Sequence, residues 1–106
     1  MSKFDVYDVP TFEKLVQKML SKSETKDLNS FIEKLKNGKL SGKRLTYEFL
    51  REKKIGGKRI YFLIYHDIYI ILFVSISSKK AQKSTIRLIK KEFPYYKKYV
   101  QKLKAS

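Results

Sequence analysis

The sequence predicts an α+β domain in which an antiparallel sheet packs against two N-terminal helices, in the order β-α-α-β-β-β-α. Three observations predict this fold. A short alternating segment and two amphipathic patterns come first, within residues 3–37. Three strand-like runs follow within residues 45–76, and a helical pattern fills the rest of the chain. We expect residues 1–106 to form one domain, because this length can bury a core without metal or disulfides.

The N-terminal elements follow from alternation and helical spacing. Residues 3–9 alternate in a way that predicts a first strand. Pro10 is typical of a helix start, and apolar side chains recur every three to four positions through residues 12–20. A second amphipathic helix is predicted to begin at Ser23 and to end before Gly38. The apolar faces of both helices are expected to be core.

A β-hairpin is predicted around the two glycines at residues 56–57. If they form a two-residue loop, Ile55 pairs with Lys58 and Lys54 lies directly opposite Arg59. Like charges that face each other across a ladder destabilise it by about 0.2–1 kcal/mol. The segment before the hairpin, residues 38–45, is predicted to be a loop.

The longest apolar run, residues 60–76, raises the alternative of a membrane span. A span needs about 20 uninterrupted apolar residues. This run is 17 residues long and is interrupted in the middle by His66 and Asp67. Two central strands, residues 58–65 and 69–76, fit better. His66 would then lie in the turn between them and is expected to be a turn residue rather than a base.

The C-terminal part is predicted to be helical. Residues 77–93 place Ile86, Ile89 and Phe93 on one inward face. Pro94 is expected to end or kink this helix, and one or two further helical turns follow it.

The net charge of +15 is distributed unevenly along the chain. Residues 1–37 carry +1 and residues 38–106 carry +14. This asymmetry indicates a polyanionic partner, which is a nucleic acid, an acidic membrane surface or an acidic protein. The sequence has no cysteine and no apparent secretory leader, so we expect a reduced, cytoplasmic setting.

Most catalytic constellations are excluded by composition. One histidine and no cysteine make a zinc or transition-metal cluster improbable. The basic part of the chain, residues 38–106, has only four carboxylates, which argues against paired-carboxylate hydrolysis and a magnesium nuclease. "GGKR" lacks the rest of a phosphate-binding P-loop. We therefore expect no metal and no cofactor.

Cations on the predicted strands form the first candidate site. Alternation places Arg51 and Lys53 on one face of their strand and points Lys54 the other way. Arg59 shares a face of the next strand with Tyr61. Arginine matches phosphate in a bidentate geometry, and tyrosine can stack on bases or donate a proton.

A second cationic cluster begins the predicted C-terminal helix and contains Lys79, Lys80, Gln82 and Lys83. Cations at a helix N-terminus oppose the helix dipole. Two clusters that are unfavourable locally suggest a functional site, and an RNA backbone fits it. A phosphate-binding surface without chemistry is an equally open alternative.

Three segments resemble one family. "YEFLR" (47–51), "GGKRIYFLIY" (56–65) and "FVSISSKKAQKS" (73–84) occur in the order and spacing typical of the RelE/ParE toxin superfamily, and "YEFLR" resembles a strand typical of its HigB-like branch. The order of secondary-structure elements agrees as well. The chain departs from the RelE branch in having lysines where that branch uses an arginine and a tyrosine.

The resemblance implies a ribosome-dependent mRNA endonuclease that works without metal by 2′-hydroxyl attack on the adjacent phosphate. It assigns catalytic roles to Arg51, Arg59, Lys79, Lys80 and Gln82, and RNA binding to Lys53, Lys54, Lys58, Lys83 and Arg87. The candidates for a C-terminal acid–base group are Tyr95, Tyr96 and Tyr99.

The expected partners are a cognate acidic antitoxin, mRNA and the ribosome, with no membrane and no small-molecule cofactor. The alternative function is a ParE-like protein that blocks a topoisomerase, or a non-catalytic member that only binds nucleic acid or an antitoxin.

Overall fold

The computed structural model describes residues 3–105 and contains a five-stranded sheet with helices on both faces. The elements in chain order are β1 (Asp5–Asp8), α1 (Pro10–Met19), α2 (Lys22–Lys36), β2 (Lys43–Arg44), β3 (Leu50–Ile55), β4 (Lys58–Tyr65), β5 (Ile70–Ser78), α3 (Gln82–Lys91) and α4 (Phe93–Ala105). The α+β class and the order of the main elements are confirmed.

The sheet order is β1-β5-β4-β3-β2. The predicted antiparallel pairing holds from β2 to β5, but β1 lies parallel to β5, with Asp5 opposite Ile70. The prediction of a purely antiparallel sheet is therefore wrong at this edge. The connection through α1 and α2 carries the chain from β1 at one edge of the sheet to β2 at the opposite edge, so β1 stays at its own edge and pairs with β5.

Three predicted boundaries differ from the observed ones. Residues 38–45 include the two-residue strand β2, and β3 begins at Leu50 rather than at residue 45. β5 continues to Ser78, so α3 begins at Gln82 rather than at residue 77. The predicted break near Pro94 is observed, because α3 ends at Lys91 and α4 begins at Phe93, with Pro94 in the first turn, where no proline N–H is needed. The helix that follows the break has thirteen residues and is longer than the one or two turns predicted.

The two N-terminal helices pack on one face of the sheet, which we call the α1/α2 face. The ring centroid of Phe12 lies 5.5 Å from that of Phe73, and Phe31 lies 5.5 Å from Phe62. α2 begins with a capping box in which Ser21 and Glu24 each accept the other's backbone N–H. The helix begins at Lys22, one residue before the predicted start at Ser23, because Ser21, three positions before Glu24, is the N-cap.

The long apolar run forms the two central strands and not a membrane helix. β4 and β5 are almost entirely buried, and residues 66–69 form the turn between them, as predicted. Burying an aliphatic or aromatic side chain of this size contributes about 1.5–3 kcal/mol, and these two strands supply half of the buried hydrophobic residues of the core. Within residues 3–105, no helix combines the length and the apolar character that a membrane crossing would need.

The hairpin has the predicted register, with Lys54 opposite Arg59 and Ile55 opposite Lys58. Gly56 has a φ of +59° and Gly57 does not have a positive φ, which is the pattern of a type II′ turn. The turn is held against α2, because Lys58 Nζ lies 3.5 Å from Glu24 Oε1.

Gly56→Ala should destabilise the protein by about 1–2 kcal/mol, because an alanine is strained at this φ and its Cβ would collide with the Glu24 carboxylate. Gly57→Ala is the matched control, since nothing lies within 4 Å of its Cβ position. Its stability should be unchanged or higher by about 0.4–1 kcal/mol. Urea unfolding of both variants tests this, and equal losses would contradict the turn.

The capping box should make stability depend on pH. The backbone N–H of Ser21, and then Lys58, hold the pKa of Glu24 below its ordinary value. A depressed folded pKa gives stability that is present above the unfolded pKa and is lost as pH falls through the folded pKa. We expect the stability difference between wild type and Glu24→Gln to shrink between neutral pH and about pH 3.

Urea titrations at both pH values measure this difference. The matched control is Glu33→Gln, an exposed carboxylate of the same helix that pairs only with Lys36, which should have the smaller effect at neutral pH. A difference for Glu24→Gln that grows on acidification would contradict the assignment.

Candidate anion-binding site

The two arginines singled out from the sequence lie on opposite faces of the sheet. Arg51 is directly opposite Phe62, and Arg59 is directly opposite Lys54 and Ser77. Because directly paired residues share a face and neighbours alternate, Arg51 belongs to the α1/α2 face and Arg59 to the other. We call this second face, which α3 and α4 cover in part, the α3/α4 face. The two guanidinium groups therefore do not form one site.

Polar side chains surround Arg59 in two adjacent rows on the α3/α4 face. One row consists of Lys54, Arg59 and Ser77. The next row aligns Glu52 with Tyr61. A strand spacing of about 4.8 Å brings each member within reach of the next.

A hydroxyl pair lies beside Arg59. The Tyr61 hydroxyl oxygen is 2.9 Å from Ser77 Oγ, and Ser77 Oγ donates to the Ser78 carbonyl at 2.9 Å. Since the single hydroxyl proton of Ser77 goes to Ser78, Tyr61 donates to Ser77. Burial is the main cause that raises the pKa of Tyr61, so this phenol is neutral and fixed in place at neutral pH.

A buried carboxylate completes the site. Glu52 is only 2% exposed, and its Oε1 accepts a hydrogen bond of 2.6 Å from Gln82 Nε2 at the start of α3. Gln82 was predicted to be a catalytic residue of the site. Its direct contact is with a carboxylate, which fixes both Glu52 and the beginning of α3.

Arg59 itself is 8% exposed, and its Nε is a buried nitrogen with no hydrogen-bond partner among residues 3–105. A buried donor without a partner costs about 1–3 kcal/mol, and more when it is charged. The exposed Lys54 and Lys79 lie next to it, on β3 and directly after β5, and no side chain caps α3. Arg59 Nε is therefore free to donate a hydrogen bond to a bound anion.

Comparisons with solved structures agree on the fold. The chain superposes on a mutant of the toxin RelE from E. coli in the free state with a TM-score of 0.67 and 16% identity, over 86% of this chain and 98% of that one. The RelB–RelE antitoxin–toxin complex from Methanococcus jannaschii gives 0.60 and 21%, over 74% and 96%. The RelBE2 complex from Mycobacterium tuberculosis gives 0.51 and 15%, over 74% and 94%.

This chain has the RelE-like toxin fold. No family model and no curated protein sequence matches it. The likeness is therefore one of backbone fold, and it assigns no role to the individual residues of the site.

Arg51, the arginine on the α1/α2 face, contacts the backbone of this RelE-like fold. Arg51 Nε donates to the Glu48 carbonyl oxygen at 3.4 Å. Burial, and then the neighbouring charge of Arg44, lower the pKa of the Arg51 guanidinium. The hydrogen bond ties the backbone at Glu48 to β3, and Arg51 cannot share one site with Arg59, because the two lie on opposite faces of the sheet.

The lysines predicted to bind RNA separate into two groups. Lys58 lies on the α1/α2 face beside Glu24, and Lys53 Nζ lies 5.1 Å from the centre of the Phe31 ring. Lys54 lies on the α3/α4 face opposite Arg59, and the exposed Lys83 and Arg87 lie on α3, which follows the exposed Lys79 and Lys80.

The three C-terminal tyrosines lie away from Arg59. Tyr96 is buried beside Tyr65, and burial is the main cause that raises the pKa of each to about 12. Tyr65 is six residues from Arg59 along β4, which is about 20 Å. Tyr99 donates its hydroxyl to the Asp8 carbonyl at 3.5 Å, and Tyr95 is exposed. Within residues 3–105, the contacts of the three tyrosines are with one another, with Tyr65 and with Asp8, and not with Arg59.

The sequence placed Tyr61 on the face of Arg59, but Glu52, Tyr61 and Ser77 were not among the predicted site residues. The signal for the first two was present, because the glycine turn fixes a register that places Glu52 opposite Tyr61. No group of three or more histidine, cysteine or acidic side chains within residues 3–105 has the arrangement of a metal site.

Inorganic phosphate should stabilise the protein through Arg59. At concentrations above its dissociation constant, we expect about 1 kcal/mol of stabilisation relative to chloride at equal ionic strength, which is a Tm rise of about 4–8 °C. Arg59→Gln should abolish this rise. Arg51→Gln, the matched buried arginine of the opposite face, should lower the Tm but keep the phosphate effect. Loss of the effect in both variants would contradict the site.

Proposed function

We propose that this chain is the toxin of a toxin–antitoxin pair and cleaves mRNA on the ribosome by attack of a ribose 2′-hydroxyl on the adjacent phosphate. The observation that carries the proposal is the buried Arg59 Nε without a partner, next to a buried carboxylate and exposed lysines. The RelE-like fold supports it, since toxins and toxin–antitoxin complexes share that fold.

The reaction needs three groups from the protein. The 2′-oxygen forms a bond to phosphorus and loses its proton to a base. The bond from phosphorus to the 5′-oxygen breaks, and that oxygen takes a proton from an acid. The products are a 2′,3′-cyclic phosphate and a 5′-hydroxyl, and negative charge builds up on the phosphoryl oxygens between these events.

Arg59 is the group that stabilises this charge. Its buried guanidinium has an unused donor and is held on a rigid central strand, so it pays little reorganisation cost when the phosphorane forms. Tyr61 and Ser77 contribute by fixing the surface beneath it through their hydrogen bond.

Glu52 is the group that accepts the 2′-proton. It is a buried carboxylate on the same face as Arg59, and Gln82 holds one of its oxygens while the other is left for substrate. Gln82 is accordingly a positioning residue. The exposed ammonium groups of Lys54, Lys79 and Lys80 hold the RNA backbone and supply the proton for the 5′-oxygen.

A cognate antitoxin is the second expected partner. The solved relatives include complexes of RelE-type toxins with RelB-type antitoxins. The charge of +14 on residues 38–106 favours an acidic antitoxin that covers the α3/α4 face and so keeps RNA from Arg59.

Expression without an antitoxin should arrest growth, and translated mRNA should acquire 2′,3′-cyclic phosphate ends. Arg59→Gln should lower cleavage by about 10²–10³-fold and Glu52→Gln by about 10²–10⁴-fold, because charge stabilisation and proton transfer are lost. Sequencing of RNA ends from a translation reaction measures this. Arg51→Gln is the control and should keep cleavage.

A growth arrest with intact transcripts and altered DNA supercoiling would instead indicate a topoisomerase inhibitor. Cleavage that survives Arg59→Gln but not Arg51→Gln would move the site to the α1/α2 face.

A further inference from the structure

Two polar grooves meet at the outer edge of β3, close to the hairpin turn. One has a volume of 320 Å³ and lies between α2 and β3, where Ser30, Lys34, Lys53 and Lys54 line it. The other has a volume of 340 Å³ and lies beside β2, and it is also lined by Lys53 and Lys54. We call the two together the β3 edge groove. The shared lysines make it continuous around the edge of the sheet.

The edge is open because β2 is too short to cover it. β2 pairs only with Arg51 and Glu52, so residues 53–55 have no strand on their outer side. Lys53 points to the α1/α2 face and Lys54 to the α3/α4 face, so consecutive lysines place positive charge on both sides of one edge. An extended chain bound at Arg59 can therefore pass Lys54 and reach Lys53 without meeting another strand.

Cations outnumber carboxylates in the groove, which is lined by Asp27 and Glu52 and by Lys34, Lys43, Lys53 and Lys54. Within residues 3–105, no carboxylate lies within ion-pair distance of Lys34, Lys53 or Lys54. Asp27 lines the part beside α2, and Glu52, one oxygen of which accepts from Gln82, lines the part beside β2. The ammonium group of Lys53 lies over the Phe31 ring, which limits its movement.

We propose that the β3 edge groove binds the phosphodiester backbone of the same RNA strand whose reacting phosphate lies at Arg59. The inference rests on the proposed function, and it adds a second segment of RNA contact outside the reacting centre. Lys54 joins the two segments, since it lies opposite Arg59 and also lines both grooves.

The groove suits a phosphate backbone better than an acidic protein. Protein partners need apolar anchors that enter pockets, and the apolar residues here, Phe31 and Ile55, are 5% and 4% exposed. Lysines act as point charges that bind phosphates of any sequence. The expected contribution is to affinity and its salt dependence, with no base preference.

The test measures binding of 2′-O-methyl RNA, which cannot react, to the purified chain by fluorescence anisotropy over a range of salt. Oligonucleotides of about 4 and about 12 nucleotides separate the reacting centre from the groove. Lys34→Gln/Lys53→Gln should weaken binding of the longer RNA about tenfold and reduce its salt slope by about 1.4, or about 0.7 for each lysine. Binding of the shorter RNA should change less than about twofold.

Lys14→Gln/Lys18→Gln is the matched control, because both lysines are exposed on α1 and the change in charge is the same. Its binding should equal that of wild type for both lengths. Lys34→Gln alone keeps the test valid if loss of the Lys53–Phe31 contact lowers stability, since the Lys34 side chain makes no hydrogen bond, ion pair or ring contact among residues 3–105. It should show half of the change in slope.

The proposal is overturned if both lengths weaken equally, if neither weakens, or if the control pair has the same effect. It is also overturned if the groove variant loses binding to poly-glutamate and not to the longer RNA, which would assign the groove to an acidic protein. A wild-type chain that binds RNA with this length dependence but leaves translated mRNA intact would refute the nuclease and not the groove. If the wild-type chain cleaves translated mRNA but the groove variant binds the longer RNA as tightly as wild type does, the groove is refuted and the nuclease is not.

Discussion

The register of the β3–β4 hairpin is the constraint on which the charged surfaces of this protein depend. A shift of one residue would exchange every side chain of one strand between the two faces of the sheet. The type II′ turn at Gly56 prevents this shift, and the contact between Lys58 and Glu24 ties the turn to α2. The same register places Arg59 beside Glu52 and sends Arg51 to the opposite face.

The folded state tolerates the crowded cations because they sit at the end of a very apolar sheet. The facing pair of Lys54 and Arg59 costs about 0.2–1 kcal/mol, and an unpartnered donor costs about 1–3 kcal/mol. Each fully buried side chain of the central strands, such as Leu63 or Leu72, returns about 1.5–3 kcal/mol. A few such residues outweigh the electrostatic cost, so the unfavourable charge can persist until an anion binds.

The sequence predicted those features that depend on local chemistry, and it did not predict those that depend on distant parts of the chain. The glycine turn, its register and the helix start at Pro10 were all deducible from neighbouring residues. The position of β1 beside β5 was not, because the edge that a separated strand joins is decided by how the intervening helices pack. For the site, Arg59 stood out as a cation, whereas the role of Glu52 required the cross-strand partner and the contact with Gln82 to be considered together.

The buried and the exposed cations have different physical capacities, and this difference divides the proposed work between them. Exposed ammonium groups are screened over about 8 Å at physiological salt, so lysines such as Lys34 and Lys80 attract and hold a polyanion without fixing its geometry. Arg59 is shielded from solvent and rigidly held, so its field on a bound phosphate is strong and directional. Lys54 is exposed and lies opposite Arg59, so it can attract an RNA backbone and also bring a phosphate next to the buried guanidinium. The like-charge pair that destabilises the hairpin is thus the element that connects the two functions.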